Sequence, residues 1–129
     1  MTFVMTDHHG HTYPVNAEDA GRLFDGQAKL IMRTGHSAQA IWFGTQDEPE
    51  MLRVDVDVEA GRAALRWLPD GTHAVGLGPG EAITVLEKPG WGPVTIPASL
   101  VRVRVDTARK AVTEYVVTGQ RPTCVMWEQ

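Results

Sequence analysis

The residue types able to do chemistry in this 129-residue chain fall into four groups. His8, His9 and His11 lie in one short segment beside Asp7; Asp55, Asp57 and Glu59 alternate with valines; Gly76, Gly78 and Gly80 recur at every second position; Cys124 stands alone. Three imidazoles and a carboxylate are metal ligands by type. Zinc sites normally bring separated ligand pairs together, so the segment reads instead as an exposed turn. Three carboxylates on one strand face resemble a metal or acid/base cluster, yet they lack the loop glycine and further ligands of a calcium loop. Alternating like charges of this kind read as a solvated face or an acidic docking surface. The glycine run is not followed by Lys-Ser/Thr or by a clear helix start, which argues against a phosphate loop. Cys124 has no histidine nearby to activate it and reads as a small buried thiol. His36, beside Gly35, fits a cation at a helix C-terminus, and His73 begins a strand. None of these sets completes a catalytic constellation, so the expectation is a protein that is not an enzyme and uses neither cofactor nor metal.

The tryptophans divide by context. Trp42, Trp67 and Trp127 sit in apolar strand patterns and belong to the core or its edge. Trp91 stands in Lys88-Pro89-Gly90-Trp91-Gly92-Pro93, where a large ring has little local cover. It either folds back on the sheet or is an exposed binding anchor.

The elements that position these groups are clearest at the C-terminus. Ala108, Ala111, Val112, Tyr115 and Val116 follow the i, i+3, i+4, i+7, i+8 spacing of one helix face, with Asp106 as the expected N-cap and Gly119 as the left-handed stop. Beyond Pro122 the period changes to the alternation of a short strand through Trp127. Earlier, residues 2–6 and 11–15 read as a hairpin. A helix capped at Asn16 runs to Thr34-Gly35, with Gly26 a point of weakness, since each interior glycine costs about 1 kcal/mol relative to alanine. From Ala38 onward, strands alternate with turn residues: 38–44, 51–58, 62–68, 73–77, 82–87, 94–96 and 99–105. Short connections favour antiparallel neighbours. The expected fold is therefore α+β, a twisted antiparallel sheet covered by two helices, with an N-terminal hairpin and a short C-terminal strand, forming one domain over 1–129.

A net charge of -4 and a pI near 5.7 argue against a general nucleic-acid binder and make a basic partner easier to accommodate. A single cysteine makes no internal disulfide, and no apolar run approaches the roughly 20 residues of a membrane helix. The N-terminus carries no basic-then-apolar leader pattern, so a cytoplasmic location is the expectation.

Ala111, Tyr115, Thr118-Gly119, Arg121-Pro122 and Trp127 together resemble the ending of the first-numbered immunity-protein family of bacterial polymorphic toxin systems. In that family an aromatic-bearing helix runs into T-G-x-R-P, followed by a short strand with a tryptophan and an acid. The resemblance implies a non-enzymatic cytoplasmic antitoxin that binds and blocks the C-terminal toxin domain of a secreted effector, often a nucleic-acid deaminase. Toxins acting on nucleic acid need basic channels, and an acidic protein can occupy one. On that reading Asp47, Glu48, Glu50, Asp55, Asp57 and Glu59 form the toxin-binding surface and Trp91 anchors it. Tyr115, Gly119, Arg121, Pro122 and Trp127 have a structural part. Rival expectations are a small-ligand or regulatory binding module, or an enzyme with a pocket of partnered titratable groups.

Overall fold

The computed structural model describes residues 2–30 and 38–129. The chain runs β1 (Phe3–Thr6), β2 (Thr12–Val15), α1 (Ala20–Ala28), β3 (Gln39–Thr45), β4 (Leu52–Asp57), β5 (Arg62–Trp67), β6 (Thr72–Val75), β7 (Ile83–Val85), β8 (Val94–Ile96), β9 (Val103–Arg104), α2 (Val105–Thr118) and β10 (Met126–Glu128). Eight strands form an antiparallel sheet in the order β10-β6-β5-β4-β3-β1-β2, with β9 paired to the start of β5. The expected α+β architecture is the one present. Strands β3 to β6 form a meander because their turns are short; Gly71, with φ 72°, and the Asp70 carboxylate close the last of them.

One sheet face is roofed by both helices. The α2 stripe of Ala108, Ala111, Val112, Tyr115 and Val116 is buried in full, as its spacing requires, and packs with Phe24 of α1 over Ile41, Phe43, Leu52, Val54, Val56 and Leu65. Tyr115 is the pivot: Phe3 and Trp67 meet its ring edge-on with centroids 5.4 and 5.6 Å away. Gly119 ends α2 at φ 71°, donating its N–H to the Tyr115 carbonyl at 2.7 Å. The N-terminal expectation shifts by two residues, since Arg104 occupies the cap position and Asp106 lies inside the first turn. α1 starts at Ala20, so Asp19 takes the cap position expected of Asn16 and makes no side-chain cap bond; Asn16 Oδ1 accepts from the Asp19 N–H at 3.0 Å and Asp19 Oδ1 from the Asn16 N–H at 2.9 Å, closing the turn that precedes the helix. The helix passes through Gly26 without a break but ends at Ala28, with Lys29 as its C-cap, short of the expected run to Thr34-Gly35; those two residues and His36 lie outside the described residues.

The other face differs from expectation. β7 and β8 do not join the large sheet but form a separate two-stranded ribbon. Ile83, Val85 and Ile96 from the ribbon, with Val101, cover Ala38 and Ala64 and make a second small core. Ala64 lies between Ala63 and Leu65 of the helix-side core, so side-chain alternation puts it on the opposite face. Small residues there let a second layer approach closely.

Tyr115→Ala removes the ring on which α2, β1 and β5 converge, and should lower stability by about 3–5 kcal/mol, read as a drop in the urea midpoint. A loss below about 1 kcal/mol would contradict this account of the core.

Candidate functional site

The acidic stretch from Asp47 to Glu59 is not one surface. β4 directs Leu52, Val54 and Val56 to the helices and Arg53, Asp55 and Asp57 to the other face. Asp55 is fully buried there. Arg53 donates to Asp55 Oδ1 from Nη2 at 2.9 Å and from Nε at 3.1 Å, and Arg66 Nη2 reaches Oδ2 at 2.8 Å. Arg53 Nη2 also pairs with Glu87 Oε2 at 2.7 Å, and its guanidinium lies 5.1 Å from the Trp42 ring centroid. Burial alone would lower the Arg53 pKa, but Asp55 and Glu87 outweigh it and hold the group above its usual value. Asp55 is thus corrected from a surface acid to the centre of a buried ionic cluster. Arg53 and Arg66 face each other across the strands, a like-charge pair tolerable only because one carboxylate binds both.

The remaining acids separate to the two ends of β4, which its six residues place about 17 Å apart. At the far end, Asp57 is half-buried and accepts the Ala60 N–H at 3.1 Å, while Glu59 is exposed in the turn to β5. At the near end, Asp47, Glu48 and Glu50 are exposed on the turn between β3 and β4 and form no ion pair among the described residues. That turn is fixed. The Thr45 N–H donates to the Glu48 carbonyl at 2.9 Å and the Gln46 N–H to the Thr2 carbonyl at 3.2 Å, and a Cβ added at Gly44 would strike the backbone of Glu48 and Pro49. Glycine there lets the turn lie directly on the sheet.

Trp91, left open between two placements by its sequence, is exposed at 73%. Its loop leaves β7 just after Glu87, whose ion pair ties it to Arg53 near the start of β4, the end that the acidic turn enters. Lys88 Nζ lies 5.8 Å from the Trp91 ring centroid.

The C-terminal motif residues interlock. Arg121 pairs with Asp70 at 3.0 Å and lies 5.5 Å from the Trp127 centroid, and the Trp127 indole N–H donates to the Pro122 carbonyl at 2.8 Å. Hydrogen bonds from Thr72, then the Arg121 charge, hold the Asp70 carboxyl below its usual pKa. Glu114 accepts the Thr123 N–H at 2.6 Å, its hydroxyl at 2.9 Å and the Cys124 N–H at 3.1 Å, tying α2 to the segment before β10. Partial burial would raise the Glu114 pKa, but these donors prevail and lower it. Cys124 is exposed, not buried; the segment Glu114 holds leaves its side chain at the surface. Partial burial of the thiol and the Glu114 charge raise its pKa, which makes it less nucleophilic.

The histidine turn is also corrected, because Asp7 and His8 are both buried. Asp7 closes the turn by accepting the N–H groups of His9 and His11, each at 2.9 Å, and the Tyr13 hydroxyl at 3.1 Å. Burial first, then His9, lowers the His8 pKa, against weaker opposition from Asp7 and Gln39. Gln39 and Gln27 join β3 to α1 through two 2.7 Å hydrogen bonds. Among the described residues no group of three His, Cys, Asp or Glu is placed to hold a metal ion, and no helix is long and apolar enough to cross a membrane.

These features define an α+β protein with one sheet face sealed by helices and the other carrying an ionic cluster, an acidic turn and a bare indole. The family model described as Immunity protein Imm1 matches residues 6–129, and the chain belongs to that family. Its role is therefore immunity to a toxin, which entails a cognate toxin protein as partner. No curated protein matches the chain.

Sequence reasoning missed Arg53, Arg66 and Glu87. Asp55→Asn would leave Arg53 with Glu87 alone and take from Arg66 its ion pair, and should cost about 3–5 kcal/mol in urea unfolding; a change under about 0.5 kcal/mol would show that the cluster is dispensable. His8 gives a pH signature. Its folded pKa is lowered from 6.5, so below about pH 6.5 the unfolded chain binds more protons and stability falls until the folded value is passed. The urea midpoint should drop between pH 7.5 and 5.5 more steeply in the wild type than in His8→Asn, and equal slopes would contradict the burial of His8.

Proposed function

We propose that this chain is a non-catalytic cytoplasmic antitoxin that binds the C-terminal toxin domain of a secreted polymorphic toxin, a nucleic-acid deaminase, and blocks its basic active-site cleft. The observations that carry this reading are exposed Trp91 and the exposed turn of Asp47, Glu48 and Glu50, which forms no ion pair among the described residues and enters the end of β4 where Arg53 holds Glu87, the root of the Trp91 loop. Carboxylates can stand where substrate phosphates would lie, speeding encounter and excluding wrong partners. An indole supplies large contact area for few rotatable bonds, the property that makes tryptophan common at interface hot spots. Asp57 and Glu59 form a second, separate acidic site at the far end of β4. Asp55 contributes indirectly, since its partner Arg53 holds Glu87 and hence the root of the Trp91 loop. The family assignment supports the role, and the chain's charge of -4 supports a basic partner.

The test is binding to, and inhibition of, the toxin domain encoded beside this chain. Association should slow as salt rises from 50 to 500 mM, and Trp91→Ala should cost about 2 kcal/mol of affinity with the fold intact. Inhibition insensitive to both salt and Trp91 would remove the proposed surface, and absence of inhibition would remove the proposed partner.

A further inference from the structure

A hollow of about 500 Å³ opens between edge strand β2 and the acidic turn, lined by Val4, Thr12, Pro14, Gln46 and Pro49. Its apolar walls come from Val4 and the two prolines, and the turn carrying Asp47, Glu48 and Glu50 forms one side. We infer that this hollow seats a bulky apolar side chain of the toxin domain, flanked by lysine or arginine residues that pair with those three carboxylates. The inference rests on the toxin-binding reading above and specifies what the partner must present.

Three features select this occupant. β2 is the last strand in the sheet order, so nothing in the sheet lies beyond it. An added strand is disfavoured, because Pro14 has no N–H and interrupts the donors a new strand would need. A second copy of the chain is disfavoured too, because a two-fold contact through this patch would bring Asp47, Glu48 and Glu50 of each copy together. What remains complementary is an apolar group with cations around it. Proline-lined walls offer few hydrogen-bond donors, so a polar group would be left unpaired in the hollow. The carboxylates at its side lack ionic partners among the described residues and are free to take cations.

The experiment measures the Kd of the full chain for the toxin domain encoded beside it, by calorimetry at one salt concentration. Thr12→Arg fills the mouth with a long cation, and Gln46→Arg does the same from the opposite wall. Met126→Arg, exposed at the other edge of the sheet, serves as the remote control. The first two should each raise Kd about 30-fold or more while Met126→Arg changes it less than about threefold. Thr12→Arg and Gln46→Arg proteins that keep the wild-type urea midpoint and bind as the wild type does would overturn the inference while leaving toxin binding intact. If Thr12→Arg lowers the midpoint, Gln46→Arg alone decides. A dimer of the free chain that Thr12→Arg dissociates would assign the hollow to a second copy and overturn the inference. Failure of the wild type to bind the domain would instead remove the reading beneath it.

Discussion

A carboxylate buried between two guanidinium groups organises the exposed half of this molecule. Asp55 stands on a central strand, and the Arg53–Asp55–Arg66 contacts let three charges leave water together. Each charge would cost several kcal/mol to bury alone; together, with Glu87 as a fourth member, they offset that cost. The cluster also specifies geometry. It fixes the side chain of Arg53 against Trp42 and draws Glu87 down to the sheet, so the loop that carries Trp91 begins at a set point. The helical side relies on a different device, shape rather than charge, with Tyr115 wedged between Phe3 and Trp67. One face is held by packing, and the other by ion pairing beside the small core under the ribbon.

Much of the fold was legible because its determinants are local. The α2 stripe, its closing Gly119 and the turn at Asp70-Gly71 each depend on residues a few positions apart, and there sequence and structure agree. The site was less legible because its determinants lie across strands. Asp55 looked solvated from its own strand, where it is flanked by other acids of like spacing. Its partners come from two positions earlier and from the neighbouring strand. A register argument had the information: closing the Val58–Gly61 turn sets Asp57 opposite Arg62 and Arg53 opposite Arg66, which leaves Asp55 diagonal to Arg66. Three arginines, Arg53, Arg62 and Arg66, on one face of two paired strands require anions among them, and Asp55 was the central candidate. Glu87 carried no such signal, since its approach depends on the ribbon folding onto the second face. The burial of His8 and the exposure of Cys124 were likewise set by tertiary contacts that no local pattern encodes.

The separation of the acids changes what the surface can recognise. An unbroken row from Asp47 to Glu59 would have met a long basic groove. The structure offers two smaller acidic sites about 17 Å apart with a neutralised centre, and the site at the turn lies beside a hollow lined by Val4, Pro14 and Pro49 and toward the root of an exposed tryptophan loop. Such a combination suits discrimination among related toxins, since matching requires both an apolar side chain of the right size and cations correctly placed around it. The C-terminal motif that resembles the family's ending has a structural role: Glu114, Arg121 and Trp127 fasten the last strand to α2 and β6, apart from the surface proposed to engage the toxin.

The central proposal is that the toxin is met on the sheet face opposite the helices, at the turn and the tryptophan loop. Amide hydrogen exchange of the full chain, with and without its cognate toxin domain, tests this most directly. The account predicts new protection at residues 45–50 and 88–93, with little change along the outward side of α2. Protection confined to the helical face or to the β10 edge, with the turn and the tryptophan loop exchanging as in the free chain, would contradict it.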